Sequence, residues 1–327
     1  MKKRHHFVPR GYLARFAAPE GDIWTYDTEA NSLRSSPPEN TGFEKYLYSR
    51  TLPDGKRSDE LENLIETLET PAFPVLDKLE RGEPLNADEA ETLGNFVAIM
   101  FVRTDAFRQK YAEMAMSLAQ VEMYAAATHP GAFAAMRSKI EKEKGRALST
   151  DEAESFKNAM IDPSQFEIHV DKEWSLKALS FFNSAAPIFS KMNWSSLLTP
   201  TDRFFITSDA PVVHGVPTEH ANRFYGGGLA DRHIEVTFPI SAKTCLLGTW
   251  KAGLPQSFPL AAEGVKMINR QQAVHSRRFL FAPIRDSGIA KLGQKYKDIG
   301  EGIAVSGMGP KERAPVKLVR ASYRGSD

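Results

Sequence analysis

Glu235-Val236-Thr237-Phe238-Pro239-Ile240, followed after three residues by Thr244-Cys245-Leu246-Leu247-Gly248-Thr249-Trp250, decides the fold class. Both runs are rich in β-branched and aromatic residues and read as strands. Arg203-Phe204-Phe205-Ile206-Thr207 and Arg278-Phe279-Leu280-Phe281-Ala282 share that texture, and Leu260 to Val274 reads as a helix before the last of them. Near the N-terminus, Ile23-Trp24-Thr25-Tyr26 and Glu44-Lys45-Tyr46-Leu47-Tyr48-Ser49 have strand composition, with turns at Gly21-Asp22 and Pro53-Asp54-Gly55. Strands at both ends with helices between them predict an α+β protein. Its central helical block would carry a mostly antiparallel sheet formed by the N-terminal and C-terminal strands.

The helical block announces itself by a change of period. From Ser58, Leu61, Leu64, Ile65 and Leu68 recur at helical spacing until Pro71 and Pro74 interrupt. Asn86 with Glu89 is a capping box. It opens a broad apolar face of Leu93, Phe96, Val97, Met100, Phe101, Phe107 and Tyr111, read as one deeply packed helix reaching His129-Pro130. Gly131 to Gly145 reads as a solvated, charged helix. Ser149 with Glu152 is a second capping box, opening a helix that ends near Asp162-Pro163. Trp174 to Phe189 reads as a buried helix bent at Pro187. The expected organisation is one α+β domain over 1–285 with a helical insertion at about 131–165, and an arm or tail over 286–327.

Composition restricts function. The 327 residues are 42% hydrophobic and 25% charged, ordinary for a globular protein. With 42 basic against 41 acidic residues the net charge is +1, so no global field draws the chain to nucleic acid or an anionic membrane and any such attraction must be local. The single Cys245 lies in a strand-like run, excludes an internal disulfide and fits a reducing compartment. No run approaches a membrane span, and Met1-Lys2-Lys3-Arg4 leads into two histidines rather than an apolar signal region. These features predict a cytoplasmic protein. H-E-x-x-H, C-x-x-C, G-x-S-x-G and a strand-borne G-x-G-x-x-G are missing from the sequence.

Three constellations could carry chemistry. The first is His5-His6-Phe7-Val8-Pro9-Arg10, where Tyr12, Leu13 and Phe16 would anchor one side and hold the imidazoles and guanidinium on the other. Imidazole titrates near neutrality and arginine forks onto phosphate or carboxylate. The second is Ser208-Asp209 at a strand exit, followed by a glycine-containing loop with His220, Tyr225 and Gly226-Gly227-Gly228, then His233. The third is Arg103-Thr104-Asp105, in so apolar a helix that Arg103 needs a partner, with Glu66 or Glu69 as candidates. Asp162 with Glu167 and His169 only faintly suggests a carboxylate nuclease, because the expected lysine is missing.

Taken together, the opening His-His-Phe-Val-Pro-Arg, Ile23 to Asp27, Gly42-Phe43-Glu44 with Leu47-Tyr48-Ser49, Glu66 to Glu69, Arg103-Thr104, Phe205 to Asp209 with Pro211-Val212, and Phe238 to Ser241 resemble the bacterial family catalogued as domain of unknown function 4238. The resemblance runs in order from about His5 to about Ala282. Ala210 stands where such proteins often have Asn. The family implies no reaction, but its motifs fall on the three constellations. If these converge, they supply a proton-transfer imidazole, guanidinium groups for an anionic centre, and a carboxylate to orient a histidine or hold a metal.

That inventory leads to the expectation of a phosphodiesterase or nuclease acting on nucleic acid or a nucleotide, in a toxin or phage-defence setting. His5, His6 and Asp209 would be catalytic, while Arg10, Arg103 and Ser208 would bind substrate. A divalent metal on Asp209, His5 and His6 is compatible with it and not required by it. The alternative is a non-catalytic nucleotide or anion-binding module, in which the arginines and Ser208 clamp the ligand beneath the glycine loop. A purely structural protein, with these groups as internal ion pairs, would keep His5, His6, Arg103 and Asp209 apart.

Overall fold

The period change at residue 58 and the return of strand texture after 194 correspond to real boundaries in the computed structural model, which describes residues 3–52, 54–162, 175–200, 202–217 and 228–297. The N-terminal stretch holds β1 (Arg4–His6), α1 (Arg10–Ala14), β2 (Ile23–Asp27), β3 (Ser32–Ser36), β4 (Phe43–Lys45), β5 (Arg50–Thr51) and β6 (Arg57–Ser58). The helical stretch holds α2 (Glu60–Glu69), α3 (Ala72–Glu80), α4 (Ala87–Val102), α5 (Asp105–Thr128), α6 (Pro130–Lys144), α7 (Thr150–Ile161) and α8 (Phe182–Lys191). Then come β7 (Asn193–Leu198), β8 (Thr207–Ser208), β9 (Val213–Gly215), β10 (Glu235–Pro239), β11 (Thr244–Thr249) and β12 (Ser257–Pro259). The last elements are α9 (Ala262–His275), β13 (Phe279–Ala282) and α10 (Ser287–Tyr296).

The protein is α+β, and two of its N-terminal strands, β2 and β3, join C-terminal ones, while β1 pairs with β4 and β5 with β6 in separate ribbons. Strands β2 and β3 enter a four-stranded antiparallel sheet in the order β3-β2-β13-β8. The remaining C-terminal strands form a second sheet, β12-β7-β11-β10-β9, antiparallel except where β12 lies parallel to β7. Helix α9 serves both sheets. Its Val265 and Ile268 pack with Leu197, Phe205 and Cys245, and its Ala273 packs with Tyr26, Leu280 and the α10 residues Ile289 and Tyr296. Residues 287–296 form a helix docked on the sheet, and the rest of the expected arm or tail, from 298, lies outside the described residues.

Local chemistry explains most helix boundaries. Both expected capping boxes form, Asn86 with Glu89 and Ser149 with Glu152, each exchanging a side-chain and a main-chain hydrogen bond. Pro71 precedes the first residue of α3, where a missing N–H costs nothing. The long apolar helix expected from Asn86 onward breaks in two at Arg103-Thr104. Thr104 Oγ1 donates to the Phe101 carbonyl and accepts the Phe107 amide, so it ends α4 and starts α5. Phe204 to Ile206 were expected in a strand, but the Ile206 amide goes to the Asn269 side chain and the Phe205 amide to the Ala242 carbonyl. Only Thr207 and Ser208 remain for a ladder.

Contacts divide the chain into two units. Among the described residues, one holds 3–108 and 177–297; the other, helical over α6 and α7, holds 109–162 and 175–176. Within the helical unit, Phe133 stacks on Phe156 and Arg146 pairs with Glu152. In the larger unit, α4 and α8 meet at bare backbone: a Cβ on Gly94 would stand 2.5 Å from the Ser190 nitrogen, so no other residue fits without separating the helices. The short α1 is pinned by fully buried Tyr12, Leu13 and Phe16. Tyr12 stacks on Phe238 and donates its hydroxyl to the Pro239 carbonyl at 2.6 Å. The opening segment is therefore held, as its apolar spacing predicts.

Candidate functional site

His5 and His6 lie on β1, paired antiparallel with Glu44 and Phe43 of β4. Alternation sends the two imidazoles to different surroundings. His5 is fully buried and stacks on Tyr48. Its Nδ1 accepts the Tyr48 amide at 3.0 Å, which leaves the proton on Nε2, 3.9 Å from Asp59 Oδ1. A ring held in one tautomer, sealed from water and bonded to main chain, is suited to fixing β1 and poorly suited to meeting a substrate.

His6 differs. It is half-buried and hydrogen-bonds the main chain of Glu39, while its Nε2 is buried without a hydrogen-bond partner. The proton thus sits on Nδ1, donated to the Glu39 carbonyl, and Nε2 presents a bare lone pair. Burial pushes the pKa of His6 down from 6.5 to about 4, helped by the Arg103, Arg10 and Arg4 cations and opposed by the Glu39 bond. The ring is neutral at neutral pH. An anion arriving among those cations would offset their repulsion and restore its basicity.

The shift has a measurable consequence for stability. Between pH 6.5 and about 4 the unfolded chain takes up a proton on this histidine while the folded chain does not, so folding free energy falls as pH falls through that window. His6→Asn removes the titration. Thermal melts from pH 7 to pH 4 are expected to show a steeper loss in wild type than in His6→Asn, and parallel curves would place the proton elsewhere. Taking the difference cancels other groups that titrate in the same range, such as Asp209.

Arg103, at the C-terminal end of α4, is 1% exposed and finds the partner its setting demands. Its guanidinium pairs with Glu69 of α2, donates to the His6 main-chain carbonyl, and reaches the Tyr48 hydroxyl at 3.2 Å through Nε. Tyr48 and Glu69 hold its pKa above the ordinary arginine range against the cost of burial. Arg103 therefore holds β1 in place from behind. Arg10, in the first turn of α1, is exposed and acts on the His6 charge.

Ser208 and Asp209 form a second buried cluster. Ser208 Oγ donates to Gln272 Oε1 at 2.8 Å, and Gln272 in turn donates to the Pro211 carbonyl. Asp209 Oδ1 accepts the Arg277 amide at 2.8 Å, and Oδ2 accepts those of Arg278 at 2.7 Å and Phe279 at 2.9 Å. Burial pushes its carboxyl up to about 6, with the three amides pulling the other way. Both oxygens are occupied by the chain entering β13, so neither orients a histidine. Among the described residues, no group of three or more His, Cys, Asp or Glu could hold a metal ion.

The structure thus brings His5, His6 and Arg103 together, with Arg10 beside His6, and gives Ser208 and Asp209 separate partners. His220, Tyr225, Gly226 and Gly227 of the glycine loop, and Glu167 and His169 of the faint nuclease pattern, lie outside the described residues. Sequence reasoning passed over Arg4 and Phe43, which flank His6. Their signal is register: Phe43 is the cross-strand partner of His6, and its ring stands edge-on to the imidazole at 5.8 Å. A family model described as "Protein of unknown function (DUF4238)" matches residues 4–286, and the chain belongs to that family. No curated protein and no solved structure matches it.

Proposed function

We propose that this chain is a phosphodiesterase or nuclease whose acid/base group is His6. The observation that carries the reading is the neutral imidazole with an unmet Nε2, locked by its other nitrogen and ringed by Arg4, Arg10 and Arg103. In the reaction, Nε2 takes a proton from water as the water oxygen attacks phosphorus. The P–O bond to the leaving group breaks, and the departing oxygen recovers the proton from the imidazolium. Arg10, with Arg4, balances charge on the non-bridging oxygens. Arg103, occupied by Glu69, Tyr48 and the His6 carbonyl, is a positioning residue for the histidine, and Asp209 and Ser208 serve the frame.

The test is cleavage of RNA, single- and double-stranded DNA and cyclic nucleotides, with and without divalent metals, by wild type and His6→Ala. A loss of roughly 100-fold or more in the variant, with an unchanged melting profile at pH 7.5, above the window in which His6 titrates, is the expected result. Wild-type rates in His6→Ala remove His6 from the mechanism.

One observation favours a second reading. With Asp209 closed on three amides and His5 sealed, His6 stands alone among the described members of the three constellations as an acid/base candidate, which suits an anion-binding module that does no chemistry. A nucleotide retained unaltered by wild type and released by Arg10→Ala would favour that reading.

A further inference from the structure

The β1–β4 ribbon has two faces, and its register decides what each carries. Arg4 pairs with Lys45, His5 with Glu44 and His6 with Phe43, so Arg4, His6, Phe43 and Lys45 share one face. Arg4 and Lys45 are exposed, and Phe43 is half-buried. The Arg4 guanidinium lies 4.7 Å over the Phe43 ring while its Nη1 donates to Asn40 at 2.8 Å. Directly after β4, Tyr46 is held at φ 56° with its amide on the Lys3 carbonyl, and Arg57 lies 4.2 Å over its ring. Two guanidinium–aromatic pairs thus follow one another along a single strand end, and the first of them, Arg4–Phe43, flanks His6.

This is a local basic and aromatic surface on a chain whose net charge is +1. Cations alone would read phosphate in any nucleic acid. Aromatic rings and guanidinium planes add something a duplex cannot use, because its bases are already stacked and paired, whereas an unpaired base has a free π-face. We infer that this end of the ribbon holds a single-stranded segment of nucleic acid, one base stacking on the Arg4–Phe43 pair and a neighbouring base, past the turn at Tyr46, on the Arg57–Tyr46 pair, while a phosphate of the same segment meets Arg10 and His6. The inference rests on the reading of His6 as a phosphate-handling group and names its substrate class. Phe43 stands edge-on to His6, so a base stacked on it lies next to the imidazole.

The experiment is fluorescence anisotropy of the full chain with labelled 12-nucleotide single strands of RNA and of DNA, a base-free strand of equal length, and a hairpin duplex. Both base-bearing single strands are expected to bind more tightly than the base-free strand and the duplex. Phe43→Leu should weaken base-bearing strands by about tenfold and leave the base-free strand unchanged, with Phe43→Trp restoring affinity. Arg57→Ser, at an exposed residue, should weaken base-bearing strands in the same selective way. Arg4→Ala should weaken every strand and flatten the salt dependence by about 0.7 in log–log slope. Equal binding of base-bearing and base-free strands, duplex binding as tight as single-strand binding, or selectivity unchanged in a folded Phe43→Leu and in Arg57→Ser overturns the inference. Base-selective binding without cleavage of any substrate leaves this surface standing and removes the catalysis. Cleavage that His6→Ala abolishes, with no base selectivity, does the reverse.

Discussion

Arg103→Ala is expected to cost about 3–5 kcal/mol of folding free energy, read as a lowered urea midpoint for the unit that contains α4. The side chain is 1% exposed, and truncating it removes a whole cation from between three groups. The Glu69 carboxylate is left without its partner, the His6 carbonyl loses a donor, and the Tyr48 hydroxyl loses its bond to Nε. Leaving one buried charge uncompensated is costlier than never burying the pair, which suggests a way to separate the causes. Arg103→Met with Glu69→Gln should recover part of the loss that Arg103→Met alone produces. Arg103→Lys should recover little, because one ammonium cannot reach an acid, a carbonyl and a phenol in the guanidinium's fixed fork. A loss under about 1 kcal/mol in Arg103→Ala would mean that β1 is held by its β4 ladder and Tyr12 anchor without this clamp.

The same residue shows how far the sequence could be read. A charge inside an apolar helix implies an acid on a neighbouring element, and Glu69 is there. Periodicity and caps located α2, α6, α7 and α9, since those signals are carried by residues close in the chain. The pairing of an N-terminal strand with a C-terminal one was also legible, because strand texture lies on both sides of the helical block. What failed depended on competition. Thr104 lies within an unbroken apolar pattern, yet its hydroxyl takes the Phe107 amide and divides the helix, while Asn269 removes Ile206 from a strand that its composition favours. The grouping of Arg4 and Phe43 with His6 required the β1–β4 register, which alternation alone does not give.

Asp209 is the sharpest case, because its partners are main-chain amides, and an amide donor leaves no signature in the residue that bears it. A Ser-Asp pair at a strand exit suggests chemistry, but the carboxylate instead gathers three consecutive N–H groups 68 to 70 residues away and closes β8 against β13. Its removal should accordingly disturb the fold before it disturbs any reaction. Asp209→Ala is expected to cost about 4 kcal/mol, since hydrogen bonds to a charged acceptor contribute about 1.5–3 kcal/mol each and do not add fully. Asp209→Asn tests the geometry. Its single oxygen can serve Arg278 and Phe279, but its amide nitrogen then faces the Arg277 N–H, donor against donor, for a loss of about 2 kcal/mol. Urea unfolding should therefore rank wild type above Asn and Asn above Ala, with amide exchange quickening at residues 277–279 in both variants. If Asp209→Asn instead kept wild-type stability and lost all cleavage, the carboxylate would belong to the chemistry, and the path from β8 to His6 would have to be redrawn around it.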